Sequence, residues 1–184
     1  MQSTMQDFPL TIAAIMRHAD AVHADRTVST ANGDGTFRRA TYREVIARSA
    51  RLAQALRRLG ITGDERVATF MWNNQEHLEA YLAIPAMGAV LHTLNIRLFP
   101  EQIEFIAYEA EDRVVIVDMS LVPILAPVLS GMETVHTVIA VGSGDIGPLE
   151  ASGKRVVRYH ELTSTESDEF DWPVIDENSA AAMC

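Results

Sequence analysis

Arg66-Val67-Ala68-Thr69-Phe70-Met71, followed after a helix-length interval by Ala89-Val90-Leu91-His92-Thr93, is the stretch that decides the fold. Both runs are largely apolar, without the strict polar–apolar alternation of a strand that faces water on one side, so each is expected to be covered on both faces. The interval between them reads as a helix over 75–87, closed by Pro85 and the Met87-Gly88 turn. The same rhythm continues downstream. Arg113 to Asp118 and His136 to Val141 read as strands, and 100–110 and 120–130 as helices, with Pro100 and Glu101 suited to a first helical turn. Alternation of this kind predicts an α/β fold: a mainly parallel sheet flanked by helices.

Upstream, Leu10, Ile12, Ile15, Met16 and Val22 recur at roughly helical spacing over 8–24. Asn32-Gly33-Asp34-Gly35 favours a tight reversal, so 27–31 and 36–40 are expected to pair as a small β-hairpin. Thr41 can cap a helix with Glu44 three residues on; Val45, Leu52, Ala53, Leu56 and Leu59 form its apolar stripe, and Gly60 ends it. Beyond Val141 the chain turns rich in Gly and Pro, then acidic from Ser164 to Asp171. Residues 142–172 are therefore expected as an exposed connection. Ser179 to Cys184, small and apolar, read as the start of a buried strand.

The 184 residues are 48% hydrophobic, enough to bury a sizeable core. Lys and Arg total 15 against 25 Asp and Glu, a formal charge of -10 that repels phosphate backbones and argues against nucleic acid as a partner. The single cysteine, Cys184, cannot close an internal disulfide, which suits a reducing, cytoplasmic location. No basic-then-apolar leader opens the chain, and no run approaches the roughly 18 apolar residues of a membrane span.

No Gly-rich phosphate loop with its lysine, G-x-S-x-G elbow or H-E-x-x-H pair occurs, so no catalytic residue and no metal ligand is assigned. His18 and His23, five residues apart on a helix, are not expected to share a face. Glu65, Glu76, Glu79, Glu109, Glu111 and Asp112 read as solvated carboxylates. Trp72, Asn73 and Asn74 directly follow a strand, where parallel sheets gather ligands. They can touch a ligand; equally, Trp72 can pack and either asparagine can cap the next helix. The loop His92-Thr93-Leu94-Asn95-Ile96-Arg97 follows the second strand and combines a guanidinium, an amide and a hydroxyl, groups able to hold a phosphate or a base. The structural alternative is that Thr93 and Asn95 satisfy local backbone while Arg97 pairs with Glu101.

Several stretches then resemble one family. Ala40-Thr41-Tyr42-Arg43-Glu44-Val45 is similar to the T-Y-x-E-[LV] element of adenylate-forming, AMP-binding enzymes, and Gly63-Asp64-Glu65-Arg66-Val67-Ala68 to their G-D-R-V-A strand entry. His77 to Leu98, HLEAYLAIPAMGAVLHTLNIRL, resembles the H-x-E-x-Y-x-A-[IV]-P-x-M-G-A-V-L-H-T-x-N-x-R-L stretch of medium- and long-chain fatty acyl-CoA synthetases. The likeness continues through Ala110-Glu111-Asp112-Arg113-Val114-Val115 and weakens between about 142 and 172.

The resemblance implies an incomplete N-terminal AMP-binding domain over 1–184, ending before the phosphate-binding loop. The parent reaction would be fatty acid, ATP and CoA, with Mg2+, giving acyl-CoA, AMP and pyrophosphate through acyl-AMP. The catalytic groups of the family lie downstream, so this segment alone is expected to be inactive and to bind none of these cofactors tightly. By position in the family, Asn95, Ile96 and Arg97 are candidates for a partial CoA contact, and Trp72, Asn73, His92 and Thr93 for ligand-loop residues. Self-association as a homodimer or larger species is expected. Two other readings stay open: a binding or dimerisation module remaining from a split ligase gene, and a segment of an acyl-AMP ligase.

Overall fold

The computed structural model describes residues 4, 5 and 8–184. Helix α1 (Ile12–His23) leads into strands β1 (Thr27–Ala31) and β2 (Phe37–Thr41), which pair antiparallel with Ala31 opposite Phe37. Helix α2 (Tyr42–Arg58) starts where β2 ends. Thr41 Oγ1 accepts the Glu44 N–H, and the Glu44 carboxylate accepts the Thr41 N–H at 2.7 Å, satisfying two otherwise orphaned donors. The helix closes at Gly60, whose φ of 93° lets Ile61 N–H reach the Leu56 carbonyl.

Strand β3 (Arg66–Phe70), helix α3 (Gln75–Ala86), strand β4 (Val90–Thr93), helix α4 (Pro100–Glu109) and strand β5 (Asp112–Asp118) follow. Then come a 3-10 turn (Met119–Leu121), helix α5 (Val122–Leu129) and strand β6 (Thr137–Val141). These are the strands and helices the apolar runs predict, displaced by a residue or two at their ends. Helix α6 (Gly147–Glu150), strand β7 (Arg155–Arg158), helix α7 (Tyr159–Thr163) and strand β8 (Ala182–Met183) complete the order. The six strands of the main sheet are parallel, in the order β7-β6-β5-β3-β4-β8.

The sheet has two apolar faces. On one, Val67, Leu91, Val114, Ile116 and Ile139 pack against α2, α3 and α7. On the other, Ala68, Phe70, Val115, Val117 and Val138 pack against α4, α5 and α6. Strands covered on both sides have no reason to alternate, as their sequences show.

The tail departs from expectation in two ways. Residues 142–172 are only partly an exposed connection, since they contain β7, an edge strand, and the buried Tyr159 and Leu162 of α7. The acidic run beyond α7 is tied to the polar face of α2. Arg58 pairs with Glu166 at 2.6 Å, Arg51 with Asp168 at 3.4 Å, Gln54 donates to the Glu169 carbonyl, and the Arg57 guanidinium lies 4.8 Å from the Phe170 ring centroid. Phe170 and Trp172 stack at 4.7 Å and pack on the α2–α3 core. The chain then crosses to the opposite edge, where β8 joins β4; β8 is exposed rather than buried because it is the outermost strand.

Candidate functional site

Ligand crevices in parallel sheets open at the carboxyl ends of strands, where neighbours send their connections to opposite faces. Strands β3 and β5 are such neighbours: β3 runs into α3 on one face and β5 into α5 on the other. The loops leaving them are laced together. Trp72 Nε1 donates to Ser120 Oγ at 2.9 Å, and Asn74 Nδ2 donates to Asp118 Oδ2 at 3.2 Å. The other Asp118 oxygen accepts the Ser120 N–H and hydroxyl at 2.9 and 2.7 Å. Of the two asparagines the sequence offers as a cap, Asn74 serves, accepting the His77 N–H at 2.9 Å; Asn73 is exposed. Trp72 is 49% exposed.

A cavity of about 500 Å³ lies beside this lacing, between the β1–β2 hairpin, Asn74, Glu76, Asp118, Ser120 and the Gly142-Ser143 turn after β6. Arg38 of β2 reaches into it and grips Glu76 with both terminal nitrogens. Burial is the largest influence on the Glu76 carboxyl and would raise it, but the hydrogen bonds from Arg38, a backbone hydrogen bond and the charges of Arg38 and Arg48 together outweigh burial and hold the group below the ordinary carboxylate range. The cavity presents hydroxyl, amide and carboxylate groups, and its guanidinium is already engaged. It can hydrogen-bond a polar ligand.

The loop after β4 is separate. Leu94, buried, donates its N–H to the Thr69 carbonyl at 3.0 Å and anchors the chain as it leaves the sheet. Asn95 Oδ1 accepts the Arg97 N–H at 3.0 Å, and Leu98 N–H returns to the Asn95 carbonyl, making a tight turn. Ile96 tucks against the core while Asn95 and Arg97 face solvent. Among the described residues the Arg97 guanidinium makes no ion pair, so the pairing with Glu101 considered from sequence is not formed. Thr93 closes β4 and is half-buried, in register with Thr69.

His92 does not belong with these loop residues. It is 6% exposed, and its Nδ1 sits 3.0 and 2.9 Å from the two oxygens of Asp112, which is fully buried. The pair spans β3, where Ala68, in register with His92, has a side chain small enough to leave room. A register shift between Arg66 and Val67 sets Asp112 opposite Arg66. Burial pushes the Asp112 carboxyl up and the His92 hydrogen bond opposes it. Asp112 is thus a buried strand residue and not the solvated carboxylate expected.

Glu79 corrects the sequence reading in the same way. It is 1% exposed, accepts the Tyr159 hydroxyl at 2.6 Å and the Gln75 amide at 2.7 Å, and lies 3.9 Å from Arg48. Burial pushes its carboxyl up, and its charge helps drive the buried Tyr159 phenol upward too. His77 faces the Trp72 carbonyl through Nδ1 at 3.1 Å and Thr69 Oγ1 through Nε2 at 3.0 Å. A carbonyl only accepts, so Nδ1 carries the proton and burial pushes the imidazole down toward the neutral form. His77 therefore steadies the Trp72 loop from beneath.

Among the described residues no three His, Cys, Asp or Glu side chains gather as a metal site. His18 and His23 do meet, edge to face at 5.6 Å, contrary to expectation, but no third ligand joins them.

Residues 16–184 match the family described as AMP-binding enzyme. Over all 184 residues the chain is 35% identical to the 3-methylmercaptopropionyl-CoA ligase of Ruegeria lacuscaerulensis and 34% identical to the medium-chain-fatty-acid–CoA ligase of Ectopseudomonas oleovorans, covering 34% of each. It is 35% identical to the long-chain-fatty-acid–CoA ligase of Thermus thermophilus over 98% of this chain and 32% of that one. The crystal structure of an anthranilate CoA ligase in complex with anthranoyl-AMP shares the fold, with a TM-score of 0.83 at 18% identity over 99% of this chain and 33% of that one. The chain spans about a third of the length of the curated relatives it matches.

Proposed function

The chain belongs to the AMP-binding enzyme family, and from that premise we propose that it forms the N-terminal lobe of an ATP-dependent fatty acid–CoA ligase. The observation that carries the reading is similarity to acid–CoA ligases at 34–35% identity along its whole length. In such a ligase ATP activates the carboxylate, CoA accepts the acyl group, and Mg2+ neutralises charge on the departing pyrophosphate. The lobe supplies the sheet and its carboxyl-end loops. Within it, Asn95, Ile96 and Arg97 form a partial contact for the phosphate-bearing end of CoA: the turn is braced by its own hydrogen bonds, and among the described residues its guanidinium makes no ion pair. Trp72, Asn73 and Thr93 stand at neighbouring strand ends as further ligand-loop residues. No residue is assigned to chemistry on ATP or to Mg2+.

Titrating the purified chain with CoA should shift the amide resonances of Asn95 to Leu98, and Arg97→Gln should weaken the response; unchanged resonances would remove the CoA assignment. The same chain should show no fatty-acid-dependent exchange of pyrophosphate into ATP above a no-protein control.

The reading extends to self-association. An apolar groove of about 520 Å³ runs between α1 and residues 175–181, walled by Leu10, Ile15, Pro85, Ile175 and Ala180, and it adjoins the open edge of β8. A dimer closing over this groove would appear in light scattering as a concentration-dependent rise in mass. No helix among the described residues is long and apolar enough to cross a membrane, and the exposed lone Cys184 fits a reducing cytoplasm.

A further inference from the structure

Helix α4 buries Ile103 and Ala107 against the sheet. On its outward side Glu101, Glu104, Phe105 and Tyr108 stand at i, i+3, i+4 and i+7, one stripe along the helix surface. Phe105 is 62% exposed and Tyr108 52%. Beside the stripe lies a cavity of about 470 Å³, lined by those four residues together with Gly131 and Glu133 of the turn after α5. Gly131 leaves the room: a Cβ there would fall within 2.6 Å of the Glu104 carboxylate. Among the described residues none of the three carboxylates makes an ion pair. Lys154 is attracted by Glu133, while its Nζ donates to the Met132 and Val135 carbonyls at 2.9 Å.

Two exposed aromatic rings flanked by three unpaired carboxylates form a surface complementary to a planar cation. A guanidinium can stack on a ring face while its edge donates two hydrogen bonds to a carboxylate, a combination an ammonium matches less well. We propose that the outward face of α4, with the 131–133 turn, docks an arginine-bearing segment of a partner polypeptide. The rings supply the contact area and Glu101, Glu104 and Glu133 the charge complement. The face is independent of the loop proposed for CoA. A lipid surface suits it less, because carboxylates among the aromatics are repelled by anionic headgroups.

The test uses the whole chain and a short arginine-bearing peptide, with its citrulline counterpart as the uncharged isostere. Binding is followed by calorimetry and by amide resonances of α4 and 131–133. The arginine peptide should bind, shift those resonances and lose at least about tenfold in affinity in Glu104→Gln/Glu133→Gln and in Phe105→Ala/Tyr108→Ala, each shown by circular dichroism to be folded. Equal binding of the citrulline peptide would overturn the proposal. So would equal loss in Asp145→Asn/Glu150→Gln, which removes the same charge elsewhere and reports only attraction to an acidic chain. Failure of any peptide to bind, or Phe105-dependent binding to phosphatidylcholine vesicles instead, would also sink it.

Discussion

Glu79 shows what a single carboxylate does when the fold removes it from water. Its two oxygens take a phenol and an amide as donors, joining α3 to the start of α7 eighty positions along the chain. Because burial raises its pKa, the folded state binds this proton more tightly than the unfolded state. The corresponding stability is present below the ordinary carboxylate range and is lost as pH rises through the raised value. Glu79→Gln, which keeps an acceptor and removes the charge, should flatten this part of the profile in urea denaturation midpoints measured from acid to neutral pH. Glu79→Ala should cost about 3 kcal/mol, since it strands two buried donors. Tyr159 was not legible as a partner from the sequence: it lies in the stretch that reads as a connection, and no spacing rule links it to Glu79. The same holds for Asp112, whose place opposite Arg66 depends on a register shift.

At the scale of elements, local chemistry was the better guide. The α2 helix could be read from Thr41, Glu44, its apolar stripe and Gly60 because each signal lies within a turn of the backbone group it satisfies. Thr41→Ala should cost about 1 kcal/mol in chemical denaturation, with more of the loss recovered by Ser than by Val, because only the hydroxyl caps the Glu44 N–H. The hairpin was legible for a similar reason, its reversal being written in Asn32-Gly33-Asp34-Gly35. Strand β7 was not. Arg155-Val156-Val157-Arg158 is short and framed by arginines, and it becomes a strand because the edge of β6 offers unpaired backbone groups. The ligand loops were legible as positions but not as contacts: Trp72 and Asn74 follow a strand in the sequence, yet their bonds to Ser120 and Asp118 exist only once β5 lies beside β3.

For the whole molecule, the outermost strands of the sheet are β7 and β8, although only α7 separates them in the element order. The chain between them travels from one edge of the sheet to the other, held on its way by arginines of α2 and by Phe170 and Trp172. This route fixes a timetable. The pairs β3–β4, β5–β6 and β6–β7 close over a single crossover each, whereas β8 can dock only after β4 is in place and α2 has received the passing segment. Contacts between residues distant in sequence carry the largest loop-closure cost and form late. The Leu91 amide, which donates to the Ala181 carbonyl, reports that last step. In pulse-labelled hydrogen exchange during refolding, its protection should lag behind the amides of β5 and β6; simultaneous protection would mean that the passing segment is laid down with the sheet. The strand that reads most simply on paper, two residues at an edge, is thus the clock by which assembly of this lobe can be timed.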